Sequence, residues 1–194
     1  EHEREHQRRL EALLHASTSM LGAPSLHRLL HRVADAAREL TGATMAVAGR
    51  DPADGAPVKD AFALAPGATA PPQFAAQAAL RAHRRLLELR PTIHLTADDL
   101  EPEAGQGETA VSDMLGARLV NSDGEVNGVI LVANKATGAF DAEDEALLQQ
   151  LANTASLALQ QLRARNEAEE RAAQLDAVLD AMTEGVSVYD AAGN

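Results

Sequence analysis

The chain has 194 residues, 45% apolar and 24% charged, enough apolar material for one medium domain with additional elements. Its 17 basic residues against 29 acidic give a net charge of −12, which disfavours nucleic acid and anionic membrane surfaces as direct partners, because both are held by Lys and Arg. It has no Cys, excluding disulfides, thiolate metal centres and thiol catalysis. No apolar run approaches the ~20 residues of a membrane span, and the expected location is cytoplasmic.

Residues 1–21 read as a charged helix in which Leu10, Leu13, Ser17 and Met20 recur at spacings of three and four, a thin coiled-coil seam. Residues 22–25 break it, and Ser25 is positioned to cap a second helix. That helix carries the stripe Leu26, Leu29, Leu30, Val33, Ala37 and Leu40, and Gly42 closes it. Residues 43–49 form a strand candidate, a Pro/Gly/Asp loop follows, and residues 60–65 form a weaker strand. Residues 73–90 are a predicted helix with Pro72 at its first position. Residues 91–97 alternate as a strand, and 98–110 are polar and Gly-containing, a loop of the kind that covers a site.

The firmest strands are 111–120 and 126–135, flanking an Asp123-Gly124 hairpin turn. The second is apolar from Val129 to Ala133, as in a strand covered on both faces. From Asp141 the pattern is helical, with neither Pro nor Gly between 142 and 184. A helix of that length runs ~60 Å and outreaches any small domain. Gly185 ends it, and residues 185–190 alternate as a further strand. A chain that begins on Glu1 and stops in a turn is expected to be a piece of a longer protein.

The segment "LHRLLHRVADAARELTGA" at the front, with "MLGARLV", "GEVNGVILVANK" and "DEALLQQLANTASLAL" at the back, resembles a GAF domain over residues 23–162, most strongly in its last fifty residues. The tail "LDAVLDAMTEGVSVYDAAGN", residues 175–194, resembles the opening of a PAS domain. The resemblance implies an α+β fold: a GAF-like mixed, mainly antiparallel sheet of about six strands, helices from both chain ends on one face, and a pocket under loops on the other. It divides the chain into a coiled-coil-like helix (1–21), the GAF domain (22–162), a signalling linker helix (163–184) and a truncated PAS start (185–194).

GAF followed by PAS is the order found in bacterial signalling proteins, above all sensor histidine kinases. The implied function is a non-catalytic sensor and dimerisation module. It would bind a small molecule or relay conformational state through the long helix to downstream domains. Two alternatives stand beside it: a purely structural dimerisation module with no ligand, and a cyclic-nucleotide-binding GAF domain regulating a cyclase or phosphatase. No cofactor is established. Bilin attachment through Cys and GAF-type methionine sulfoxide reduction both fail for want of Cys. The candidate ligand-binding residues are Met45, Phe62, Phe74, His94 and Met114.

The stretch "NKATGAFDAEDE" matches, at Asn134, Lys135, Phe140, Asp144 and Glu145, the spacing of a signature found in GAF domains of cyclic-nucleotide phosphodiesterases. There the resemblance implies a Lys–Asp pair that braces the fold. The residues themselves favour a structural junction. Asp141 is an N-cap, the acidic run after it suits a helix N-terminus, and Phe140 anchors the turn. His2/His6 and His27/His31 are i,i+4 pairs lacking a third ligand nearby, so no metal is assigned. His94, between Ile93 and Leu95, faces away from both. It lines the pocket, ligates a haem iron or is an ordinary strand histidine.

In the long helix Leu148, Leu151, Ala155, Ala158 and Leu162 keep one apolar seam. Ala168, Ala172, Leu175, Leu179 and Met182 keep another, and the two join out of phase through a stammer. The expected partner is a second copy of the chain, paired in parallel through residues 5–21 and 145–182, with no direct membrane contact.

Overall fold

Helix α2 (Leu26–Thr41) begins and ends where its flanking side chains dictate. Ser25 is extended, and its hydroxyl accepts from the Arg28 N–H at 3.3 Å, satisfying one of the first-turn amides that have no helical partner. At the other end Gly42 has φ +65°, and its N–H donates to the Arg38 carbonyl. A side chain at that left-handed position is strained. Gly42→Ala is therefore expected to cost about 1 kcal/mol in urea unfolding, and an unchanged midpoint would contradict this account of the cap.

A computed structural model describes residues 2–50, 61–68, 90–96, 99, 111–120, 123–124 and 126–185. The predicted helix 73–90 with Phe74, nearly all of the 97–110 loop, the strand expected after Gly185 and the side chain of Met182 lie outside the described residues. Among the described residues five strands are formed: β1 (Ala43–Arg50), β2 (Ala61–Leu64), β3 (Thr92–Thr96), β4 (Asp113–Val120) and β5 (Val126–Lys135). They form one sheet in the order β2-β1-β5-β4-β3, with every neighbouring pair antiparallel. The apolar run of β5 thus occupies the centre of the sheet, where both faces are buried.

Helices α2 and α3 (Ala142–Gly185) pack on one face of this sheet, and helix α1 (His2–Leu21) packs against those two helices. Ala46, Ala48, Leu115, Ala117, Ile130 and Val132 supply the strand side of that core, and Leu29, Val33, Leu148, Leu151 and Leu159 the helix side. Short side chains on β1 and β4 let the helical leucines interdigitate at the density of a protein interior. Helix α1 joins the same core through Leu13 and Met20. It is thus packed into the domain rather than standing apart as a separate coiled-coil unit. Ser156 ties α3 to β4: its hydroxyl accepts from the Val120 N–H and donates to the Ala152 carbonyl, both at 2.8 Å.

The long helix has two halves with opposite surroundings. Leu148, Leu151, Ala155 and Leu162, expected to line a dimer seam, are all buried in the protomer's own core. Their heptad-like spacing reflects the stripe that any helix lying on a sheet must carry. Burial ends at Leu162, and every residue from 163 to 181 is exposed. There Leu175, Val178 and Leu179 are 64, 55 and 61% exposed. The whole helix of 44 residues is ~66 Å long at ~1.5 Å per residue.

Candidate functional site

The face of the sheet opposite the helices is a second apolar layer. Alternation along the strands puts Met45 and Val47 (β1), Leu95 (β3), Met114 (β4) and Val129, Leu131 and Ala133 (β5) on that side, all buried, with Phe62 and Ile93 packed against them. The register orders them into rows across the sheet. One row runs Leu64, Met45, Ala133, Met114, Leu95, and the next Phe62, Val47, Leu131, Gly116, Ile93. Gly116, which carries no side chain, stands between Leu131 and Ile93 in that row. A third row is Gly49, Val129, Arg118.

Met45, Phe62 and Met114 therefore share one face, as a ligand-binding set requires. His94 does not. It pairs with Leu115, lies on the helix side, and meets the Phe140 ring at 6.3 Å between centroids. It is exposed there, on the outermost strand among the described residues, and it cannot join the Met45–Met114 set. Arg118 was not among the residues expected, although its charge interrupts an apolar strand, "MLGARLV", at a position in phase with Met114. It is half-buried. Its Nε–H is fully buried and donates to no acceptor among the described residues.

The Asn134–Glu145 junction closes the opposite end of the sheet. Asn134 has φ +54°, a left-handed conformation that Asn tolerates better than most residues. Its Oδ1 accepts from the Ser112 N–H at 2.9 Å and hydroxyl at 3.2 Å, joining β5 to the start of β4. The Lys135 N–H donates to Asp113 Oδ1 at 3.3 Å, and the Ala136 N–H to the Gly42 carbonyl at 2.9 Å. Asp141 caps α3, its Oδ1 accepting from the Glu143 and Asp144 N–H groups at 2.9 and 3.0 Å. Asp144 reciprocates: its Oδ2 accepts from the Asp141 N–H at 3.0 Å, a capping box built from two aspartates.

The same Asp144 carboxylate forms an ion pair with Lys135 Nζ, which also lies 3.9 Å from Asp141 and 5.9 Å from the centre of the Phe140 ring. Phe140 is buried. Glu145 accepts from the Thr92 hydroxyl of β3. Each of the five signature residues thus engages the protein itself, and together they fasten three strand ends to the first turn of α3.

The other candidates do not assemble into a site. His27 and His31 stack edge-on at 4.4 Å, and among the described residues no group of three His, Cys, Asp or Glu side chains could hold a metal ion. A groove of about 510 Å³ between α1 and α2, lined by Glu11, His15, Arg32, Asp35 and Glu39 among others, is open to solvent. Among the described residues no helix is long and apolar enough to cross a membrane.

The chain belongs to the GAF domain family, whose model matches residues 23–160. GAF domains are in general sensory modules without catalysis of their own. The fold is similar to a bacteriophytochrome from the photosynthetic bacterium R. palustris, with a TM-score of 0.64 at 14% identity over 88% of this chain and 41% of that one. It is also similar to the phytochrome photosensory core module of Stigmatella aurantiaca, with a TM-score of 0.64 at 18% identity over 85% of this chain and 39% of that one. The chain thus spans well under half the length of these two relatives, and the likeness is one of fold. No curated protein matches it.

Proposed function

We propose that this GAF domain is the non-catalytic sensing and relay module of a larger bacterial signalling protein, a sensor histidine kinase by its expected GAF–PAS order. It works as a parallel homodimer. A small molecule on the Met45–Met114 face biases the arrangement of α3, and α3 carries that bias to the domain that follows. The observation that supports this reading is the division of α3. Its first half is bonded to the sheet, and the same unbroken helix then continues exposed for about 20 residues. A helix draws most of its stability from packing an apolar face, and the apolar positions 175, 178 and 179 of this one supply a stripe for a second copy. A ligand acts on such a device only through different affinities for two helix arrangements.

Light scattering on the purified chain at high micromolar concentration tests the assembly. A dimer is expected, and a monomer overturns the parallel homodimer. Autophosphorylation of the full-length protein with ATP tests the kinase assignment.

A second reading, a dimerisation module without ligand, draws on the tightness of the same face, where Met114, Val129, Leu131 and Ala133 are fully buried. It predicts that no small molecule binds there. The cyclic-nucleotide alternative draws no separate support, since its signature residues brace the fold whether or not a nucleotide binds.

A further inference from the structure

The face opposite the helices is apolar at every described inward position except one. Met114, Gly116 and Arg118 follow one another on that side of β4, and the only irregularity of the β4–β5 pairing falls beyond them, between Leu119 and Val120. The alternation that places Met114 in this layer therefore also places Arg118 there. Its neighbour across the ladder is Val129, and beyond Val129 stands Gly49. Neither can accept a hydrogen bond from a guanidinium through its side chain. Among the described residues no carboxylate lies within ion-pair distance of Arg118 and no acceptor meets its buried Nε.

A buried donor without a partner is costly, and a cationic one more so, which is why nearly all such groups in native proteins are satisfied. The guanidinium is always charged and offers a planar fork that matches a carboxylate or phosphate with two parallel bonds. Small-molecule sites combine such a polar group with an apolar surround. Here the surround is the apolar layer of Met114, Leu131 and Ile93 on the same face.

Resting on the reading of this face as a ligand floor, we infer that the ligand is a small molecule with an apolar body and one anionic end, a carboxylate or a phosphate. Arg118 holds the anion, and the body lies along the apolar layer beside it, toward Leu131 and Met114. This deepens the proposed sensing role by naming the chemistry sensed. In a chain of net charge −12, the arginine would select for the anion and the apolar layer for the body.

The test uses pairs of an anion and a neutral counterpart: octanoate against octanamide and phenylacetate against phenylacetamide, which are near-isosteric, and phenyl phosphate against phenol, which lacks the phosphate. Binding to the whole chain is read by ligand-observed NMR, together with the Arg118 Nε–H resonance of ¹⁵N-arginine-labelled protein. Each anion is expected to bind about tenfold or more tightly than its neutral match and to shift the Arg118 resonance. Arg118→Gln is expected to abolish the difference, and Arg118→Lys to retain part of it. The carboxylate and phosphate pairs separate the two anion classes.

Neutral members that bind as tightly as the anions, or an Arg118→Gln variant that keeps the preference, overturn the inference while leaving the ligand floor standing. No binding by any member at millimolar concentration overturns both. If Arg118→Gln does not fold, the wild-type pairs, the Arg118 resonance and Arg118→Lys still decide.

Discussion

Lys135→Met is expected to destabilise the domain by about 3–5 kcal/mol, more than removal of its partner Asp144. The two ends of this ion pair have unequal alternatives. Asp144 is 0% exposed, and its Oδ1 is buried with no hydrogen-bond partner among the described residues. Lys135 is therefore its charge compensation, and without it a carboxylate is stranded in the interior. Lys135 is 11% exposed and has the exposed carboxylate of Asp141 at 3.9 Å, so it retains a partner and a route to water when Asp144 is removed.

Asp144→Leu should then cost about 1–3 kcal/mol, chiefly for the lost bond from the Asp141 N–H. The double variant should cost less than the sum of the two, because it leaves no unpaired charge. Urea unfolding followed by far-UV circular dichroism measures all three without the screening that guanidinium salt would add. A Lys135→Met variant within 1 kcal/mol of the wild type would show that the pair is solvated and that α3 is not fastened to β5 through it.

That junction was legible in the sequence because its signals are local. Asp141 before an acidic run, Phe140 before the cap and a Lys at the end of an apolar strand each declare a role within a few residues. Ser25 and Gly42 declared the ends of α2 in the same way. The central place of β5 was legible from its unbroken apolar run. What stayed hidden was every question of which face meets which neighbour. Alternation in "TIHLT" separates His94 from Ile93 and Leu95, but it does not say on which side of the sheet the helices lie. That depends on where α1, α2 and α3 return, which is set by the whole chain. Arg118 was hidden for the same reason. A charge in a strand reads as solvent-facing until the register shows it level with Val129 and in phase with Met114.

The apolar spacing of α3 carried the same ambiguity at larger scale, and a pair of substitutions resolves it. Leu148, Leu151, Ala155 and Leu162 keep a three-four spacing, as do the apolar positions after residue 168, and spacing alone assigns neither set a partner. The structure gives the first set to the protomer's own core, with Leu151 at 0% exposure. Leu151→Ala should therefore cost about 2–5 kcal/mol of unfolding free energy, the loss expected when a buried leucine leaves a cavity.

Leu175 is the same residue type on the same helix but is 64% exposed. Leu175→Ala should change the stability of the domain by less than about 0.5 kcal/mol while weakening self-association, and more so when combined with Leu179→Ala. Chemical unfolding reads the first quantity and sedimentation equilibrium the second. If Leu175→Ala and Leu179→Ala leave the association constant unchanged, residues 163–181 do not pair with a second copy, and the helix must transmit its state through the domain that follows rather than through a dimer. If Leu151→Ala weakens association as much as it weakens folding, assembly and core are coupled. The dimer would then be part of the domain's stability, and movement of α3 could not occur without partial opening of the core beneath it.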